Sequence, residues 1–172
     1  MTKILFVCLG NICRSPLAKA VFIQKVKRAG LEDKIFADSA GTSGFHEGDM
    51  ADPRTIQIAK INNTPFEHTA RQVSVDDFHK FDLILAMDES NLANLLRLRP
   101  ENSGAQVHLM RSWDDNKTGI EVPDPYYSTG LVEFQRVYDI LNHSCGKFLE
   151  HLKEAAAENA TDSQFNVEEK IK

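Results

Sequence analysis

Short apolar runs alternate with amphipathic segments along most of this chain. Residues 3–7 and 81–87 are continuous apolar runs, typical of strands buried on both faces of a parallel sheet. Residues 34–39 and 106–110 predict two further strands. Because helical segments follow the strands, the pattern predicts a doubly wound α/β domain, in which ligands bind at the carboxyl ends of the strands.

Helix start signals follow the predicted strands. Ser15 can cap a helix whose first position is Pro16, and Pro53 opens a second helix. Asp88 precedes a third amphipathic stretch, and the longest one begins at Leu131. The predicted helices cover residues 15–30, residues 53–61, a segment from residue 88, and residues 131–157.

Composition limits the class of protein. The chain has 172 residues, which suits one domain, and we assign residues 1–157 to it and residues 158–172 to a polar, frayed tail. The net charge is -5 with no long basic run, so a nucleic-acid or membrane-surface partner has no electrostatic support. The three cysteines lack the spacing of a zinc site, and no apolar run is long enough for a signal peptide or a membrane span. We therefore expect free thiols, no metal and a cytoplasmic location.

The loop after the first predicted strand carries candidate chemistry. Cys8 ends that strand, and Arg14 follows six positions later, directly before the predicted helix. Backbone N–H groups of a tight loop and of a helix N-terminus bind a phosphate dianion, and the same field stabilises a thiolate at Cys8. Arg14 offers a planar fork matched to two phosphate oxygens. Gly10 would supply a backbone conformation that is closed to other residues.

A thiolate that attacks a phosphate ester also needs an acid for the leaving oxygen. The long polar segment 112–130 contains Asp124 between Pro123 and Pro125, which restrict the backbone on both sides. Asp124 could instead be a simple turn residue, and Cys8 a buried strand-end thiol. The residues favour an enzyme that attacks phosphate with Cys8, and a phosphate-binding module without turnover is the alternative.

Several of these segments together resemble the low-molecular-weight protein-tyrosine-phosphatase family. The resemblance is carried by residues 7–16 (VCLGNICRSP) and 124–127 (DPYY), and it extends to residues 38–42, 68–72 and 87–91. It spans roughly residues 3–152. It implies an α/β fold with a four-stranded parallel sheet, helices on both faces and the phosphate-binding loop after strand 1.

The resemblance also implies an activity. The expected reaction is hydrolysis of phosphotyrosine, in proteins or small aryl phosphate monoesters, through a cysteinyl-phosphate intermediate and without a cofactor. Cys8 would be the nucleophile, Arg14 the phosphate clamp, and Asp124 the general acid and then base. Inorganic phosphate or vanadate would be a ligand, and the protein would be a monomer or weak dimer.

Further roles follow from the same resemblance. Ser15 would steady the thiolate, and Cys13 would form a reversible disulfide with oxidised Cys8. The alternative for Cys13 is that it simply packs beneath the loop. The residues implied in phosphate binding or loop support are Leu9, Gly10, Asn11, Ile12, Cys13, Ser15, Ser39 and His68. The residues implied in the substrate cleft are Phe45, Tyr126 and Tyr127.

One rival activity lies within the same fold. A phosphoarginine branch of the family tends to carry threonine and phenylalanine at the places where this chain has Ile12 and Tyr126. Those two residues therefore favour phosphotyrosine. Phe45 occupies a position where the family often has Trp or Tyr, so the substrate preference at this side of the cleft stays open.

Overall fold

Four parallel strands form the centre of the molecule. The structure, a computed structural model, describes residues 1–115 and 121–168, with side chains described as far as residue 158. The strands are β1 Thr2–Cys8, β2 Ile35–Gly41, β3 Leu83–Ala86 and β4 Gln106–Leu109, in the order β2-β1-β3-β4. The predicted α/β fold with its four-stranded parallel sheet is confirmed.

Helices cover both faces of this sheet. They are α1 Arg14–Arg28, α2 Pro53–Ile61, α3 Asp77–Lys80, α4 Glu89–Leu98 and α5 Val132–Glu168. Side chains of β1 alternate between two buried clusters: Phe6 packs on Phe22 of α1, which packs on Phe148 of α5, whereas Val7 shares a cluster with Leu95 of α4. Because residues 4–8 of β1 are buried on both faces, this part of the strand is apolar throughout instead of alternating.

Several element bounds differ from the sequence-based prediction. Strand β2 continues to Gly41, because its last residues pair with the end of β1, and the short helix α3 was not predicted. Helix α5 continues through Glu168, beyond the predicted end at residue 157, since no glycine or proline interrupts the chain there. Helix α5 thus enters the predicted tail, and the division of the chain into residues 1–157 and 158–172 stays a prediction. The predicted loop 112–130 includes residues 116–120, which lie outside the described residues.

The strand order places several loops at one edge of the sheet. From β1 the chain crosses to β2 on one side and later to β3 on the other, so the loops after β1 and β3 meet at the carboxyl edge. The end of β2 also lies against the first loop: a Cβ at Gly41 would come within 2.7 Å of the Leu9 carbonyl oxygen. A glycine at this position lets the backbone of β2 contact the loop directly. No helix in the described part of the chain is long and apolar enough to cross a membrane.

Candidate active site

Cys8 lies at the carboxyl end of β1, where the chain turns before entering α1. Its thiol is almost completely buried, with 2% of the residue exposed. The Asn11 backbone N–H donates to Cys8 Sγ at 3.3 Å, and Ser15 Oγ lies 3.1 Å from the same sulfur. Both groups can donate hydrogen bonds to a thiolate, so the negative form of Cys8 has two stabilising contacts.

Ser15 does not cap the helix, contrary to prediction. Helix α1 begins at Arg14 after Cys13, and its first turn has no side-chain cap. Ser15 Oγ instead accepts from Asn11 Nδ2 at 2.8 Å and lies 3.2 Å from the Ala40 carbonyl oxygen, to which it can donate. Because its single proton can go to Ala40 or to the sulfur of Cys8, Ser15 can turn towards the thiolate as negative charge develops there.

The left-handed residue of the loop is Asn11, and the prediction for Gly10 was wrong. Asn11 has φ of 55°, a region that asparagine tolerates better than most residues, whereas Gly10 is not among the positive-φ glycines. The buried Asn11 side chain is fully engaged, since Nδ2 also donates to Ser39 Oγ at 3.0 Å and Oδ1 accepts from the Arg71 N–H at 3.0 Å. Glycine at position 10 is favoured by the close approach of a neighbouring side chain, because a Cβ there would lie 3.0 Å from His46 Cδ2.

His68 supports the same turn from the other side. Its Nε2 lies 2.7 Å from the Asn11 carbonyl oxygen, an acceptor only, so this nitrogen carries the proton. The other ring nitrogen, Nδ1, is buried and has no hydrogen-bond partner among the described residues. Burial, together with the charge of Lys19, lowers the pKa of His68, although the Asn11 carbonyl and Asp38 oppose the shift. His68 is therefore neutral at pH 7, and a second proton would be placed at a buried nitrogen without an acceptor.

We expect His68 to make folding stability fall in weak acid. Its folded-state pKa is lowered, so the unfolded chain binds the proton more readily, and the free energy of unfolding falls as pH drops below about 6.5. His68→Gln keeps a donor for the Asn11 carbonyl and cannot titrate, so its stability should decline less between pH 7 and 5. Denaturant unfolding across this range would measure both, with the exposed His79→Gln as the control. Identical pH dependence in the wild type and His68→Gln would contradict this assignment.

Arg14 lies beneath the loop and joins it to two acidic residues. Nη1 donates to Asp88 Oδ2 at 2.6 Å and to the Val122 carbonyl oxygen at 3.1 Å, and Nη2 donates to Asp124 Oδ2 at 3.0 Å. Burial opposes the charge, but the negative charges of Cys8, Asp124 and Asp88 raise the pKa of Arg14. The guanidinium is therefore a permanent positive charge whose orientation is set by neighbours.

Asp124 faces the same cleft from the segment that precedes α5. Its side chain is 35% exposed, compared with 3% for Arg14. Asp124 Oδ1 accepts from the Tyr126 backbone N–H at 3.2 Å, which orients the carboxyl group. The structure thus brings together Cys8, Arg14 and Asp124, the three residues singled out for chemistry.

The cleft around these residues has a volume of about 310 Å³. Its rim is aromatic: Phe45 is 95% exposed and Tyr127 89% exposed, and the rings of Tyr126 and Tyr127 are edge-on at 5.1 Å. The lining residues that the sequence predicted are Cys8, Leu9, Gly10, Ile12, Cys13, Arg14, Phe45, Asp124, Tyr126 and Tyr127. Asn11, Ser15, Ser39 and His68 lie outside the cleft and hold the loop through the hydrogen bonds described above.

Three residues of the site were not predicted. Ser43 and His46 also line the cleft, and His46 Nδ1 pairs with Asp49 Oδ2 at 3.0 Å. Asp88 holds Arg14 and also caps α4, because its Oδ1 accepts from the Asn91 N–H at 2.7 Å. A signal for Asp88 was present in the sequence: it lies two residues after the end of β3, at the edge where ligands bind in such sheets.

Cys13 lies at the start of α1 and is buried. Burial, with contributions from the charges of Asp52 and Cys8, raises the pKa of the Cys13 thiol to about 12. All three cysteines are free. The reversible disulfide between Cys13 and Cys8 stays a prediction. Within the described residues, no group of three or more His, Cys, Asp or Glu side chains is arranged to hold a metal ion.

Fold and site together define a class of protein: a parallel α/β domain with an anion-binding loop between its first strand and first helix. The family model described as low molecular weight phosphotyrosine protein phosphatase matches residues 3–158. A fission yeast phosphatase of that description, from Schizosaccharomyces pombe, is 48% identical over 131 residues, which are 74% of this chain and 84% of the relative. The chain therefore belongs to the low-molecular-weight phosphotyrosine protein phosphatase family and is a phosphoric monoester hydrolase.

Solved structures agree with this assignment. A protein tyrosine phosphatase from Entamoeba histolytica, crystallised with Hepes in its active site, superimposes with a TM-score of 0.86 at 40% identity and covers 91% of this chain and 99% of its own. A Drosophila arginine phosphatase superimposes with a TM-score of 0.84 at 34% identity, covering 88% of this chain and 98% of its own. Both relatives have the same fold, so fold alone does not choose between their substrates.

Proposed function

We propose that this protein hydrolyses phosphotyrosine, in proteins or in small aryl phosphate monoesters, through a cysteinyl-phosphate intermediate. Cys8 is the nucleophile, Arg14 holds the phosphate, and Asp124 is the general acid and then the general base. The observation that carries this proposal is the convergence of all three side chains on one cleft, with Arg14 Nη2 3.0 Å from Asp124 Oδ2. Each residue type suits its role: a thiolate that attacks, a charged fork and a carboxyl that can carry a proton.

Arg14 can exchange Asp124 for phosphate without moving far. Asp88 and the Val122 carbonyl hold Nη1, whereas Nη2 pairs with Asp124 and the buried Nε makes no hydrogen bond among the described residues. Nε and Nη2 form one edge of the fork, which matches two phosphate oxygens. A bound dianion would therefore take over this edge and leave Asp124 beside negative charge, which favours the protonated carboxyl that an acid requires.

The chemistry then proceeds in two steps. The Cys8 thiolate attacks phosphorus as the bond to the aryl oxygen breaks, and Asp124 transfers its proton to that oxygen. In the second step the Asp124 carboxylate takes a proton from water, whose oxygen attacks phosphorus and releases the thiolate and inorganic phosphate. The Asn11 N–H and the Ser15 hydroxyl stabilise the thiolate at the start and at the end of the cycle.

The cleft suits a flat substrate group. Ile12 is buried in its wall, while Phe45, Tyr126 and Tyr127 surround the entrance with aromatic faces. Aromatic rings pack favourably against one another in stacked or edge-on arrangements, so a phosphorylated phenol gains contacts that a phosphorylated aliphatic hydroxyl cannot make. Phosphoarginine hydrolysis is the second candidate, because one solved relative is described as an arginine phosphatase.

Parallel assays on phosphotyrosine, phosphoserine and phosphoarginine peptides of one sequence would test the proposed substrate. We expect kcat/KM to be highest for phosphotyrosine, with phosphoserine slower by about 100-fold or more because it forfeits the aromatic contacts and has a poorer leaving group. A preference for phosphoarginine would overturn the substrate assignment and leave the residue roles intact. Turnover of none of the three would instead favour a phosphate-binding module.

A further inference from the structure

Arg54, in the first turn of α2, contacts the segment that carries Asp124. Its Nη2 donates to the Tyr126 carbonyl oxygen at 3.0 Å, and its Nη1 donates to the Ser128 carbonyl oxygen at 2.7 Å. Both carbonyls lie just after Asp124 in the chain. Arg54 is not among the residues that line the cleft; besides these two carbonyls it contacts the ring of Tyr126, whose centre lies 6.0 Å from Arg54 Cζ.

The guanidinium of Arg54 is itself held in one orientation. Its Nε and Nη2 donate to the two carboxylate oxygens of Asp52 at 3.0 and 2.8 Å, and its Cζ lies 4.4 Å from the centre of the Phe134 ring. Burial opposes ionisation of Asp52, but the hydrogen bonds and charge of Arg54 lower the pKa of that carboxyl, so the pair is ionised at neutral pH. A two-point ion pair stacked on a ring fixes the direction of the remaining N–H groups.

Asp52 connects this pair to the phosphate-binding loop. Its backbone N–H donates to the Ile12 carbonyl oxygen at 2.9 Å, and its carboxylate caps α2 by accepting from the Arg54 N–H at 2.8 Å. One continuous set of contacts therefore runs from Ile12 through Asp52 and Arg54 to the Tyr126 and Ser128 carbonyls.

The other side of Asp124 is fixed independently. The Val122 N–H donates to the Met87 carbonyl oxygen at 2.7 Å, and the Val122 carbonyl accepts from Arg14. Asp124 thus lies between Val122, which is held by Met87 and Arg14, and the Tyr126 and Ser128 carbonyls, which are held by Arg54. Displacement of a catalytic group by about 1 Å can cost about 100-fold in rate, so the anchoring of this segment bears on the chemical step.

We propose that Arg54 is a positioning residue, which fixes the distance between the phosphate-binding loop and the carboxyl of Asp124. This inference rests on the proposed role of Asp124 as general acid. A poorly placed acid slows esters whose leaving group needs a proton and has little effect on activated esters. A residue that merely stabilised the fold would slow both kinds of ester equally, through loss of active protein.

The test compares kcat/KM for a series of aryl phosphates with leaving groups of increasing basicity. In Arg54→Met we expect a loss of about tenfold or more for phenyl phosphate but less than about threefold for an activated dinitrophenyl ester. Arg54→Lys keeps the charge but cannot hold a carboxylate and two carbonyls together, so it should show a smaller loss with the same dependence. Should Arg54→Met fail to fold, Arg54→Lys is judged by the same criterion. Arg136→Met removes an exposed arginine of α5 and is the matched control.

A double variant separates positioning from other effects. In the Asp124→Asn background, Arg54→Met should add no further dependence on the leaving group, because the acid is already absent. Equal losses for all esters in Arg54→Met, or the same selective loss without Asp124, would overturn the inference. If Asp124→Asn slowed all esters equally, the acid role of Asp124 and the inference about Arg54 would both be contradicted. If Asp124→Asn slowed mainly the esters with poor leaving groups but Arg54→Met did not, the acid role would stand and only the inference about Arg54 would be contradicted.

Discussion

Cys8→Ser should abolish turnover while leaving phosphate binding measurable. A serine hydroxyl at neutral pH is a far weaker nucleophile than a thiolate. Among the described residues, Cys8 Sγ hydrogen-bonds to the Asn11 N–H and to Ser15 Oγ, neither of which is a base that could activate a serine, so we expect kcat to fall by about 10⁴-fold or more. The Asn11 N–H and the Arg14 fork remain, so the loop keeps its groups for the dianion. Steady-state kinetics with an activated aryl phosphate and calorimetric titration with inorganic phosphate would measure the two properties.

Cys13→Ser is the matched control for this variant. It makes the same chemical change in the same loop, at a buried thiol that lines the cleft but takes no part in the proposed mechanism. Under reducing conditions it should keep activity within about tenfold of the wild type. Activity in Cys8→Ser comparable to that of the control would remove Cys8 as nucleophile and, with it, the cysteinyl-phosphate intermediate.

Asp124→Asn should slow esters with poor leaving groups far more than activated ones. General acid catalysis contributes about 10²- to 10⁴-fold, so we expect kcat/KM for phenyl phosphate to fall by at least about 100-fold. A dinitrophenolate leaves without a proton, and its ester should lose less than about tenfold. The Asn side chain is nearly isosteric and can still accept a hydrogen bond from Arg14, so the geometry of the cleft is retained.

Asp88→Asn provides the contrast for this measurement. Asp88 also contacts Arg14, but through Nη1 on the other side of the guanidinium, and it caps α4. Its substitution weakens the orientation of Arg14, so it should slow all esters by a similar factor. Equal losses for both esters in Asp124→Asn would remove Asp124 from the acid role, because that pattern is what we expect from a residue that only orients Arg14.

Much of the site could be predicted because its central part is local in the sequence. Cys8 and Arg14 are separated by six positions, and an apolar strand before them with a helix after them leaves few ways to arrange the loop.

The predictions for Ser15 and Gly10 were wrong because each relied on the residue type alone, whereas tertiary contacts decide the outcome. Ser15 suits a cap by type, but Cys8, Asn11 and Ala40 engage its hydroxyl. Gly10 suits a left-handed turn, but the hydrogen bonds to Asn11 stabilise that conformation one residue later.

The sequence by itself determined the alternation of buried strands and helices, the anion-binding loop at Cys8 and the family to which the chain belongs. Only the tertiary structure decided which distant groups surround that loop. Arg14 contacts Asp88 and Asp124, and Arg54 contacts the Tyr126 carbonyl, across separations of more than 70 residues. Such contacts depend on strand order and on how the connections cross the sheet, and no periodicity within one segment encodes them. The loop that carries Cys8 and Arg14 is thus visible in the sequence, whereas the arrangement that places Asp124 beside it exists only in the folded chain.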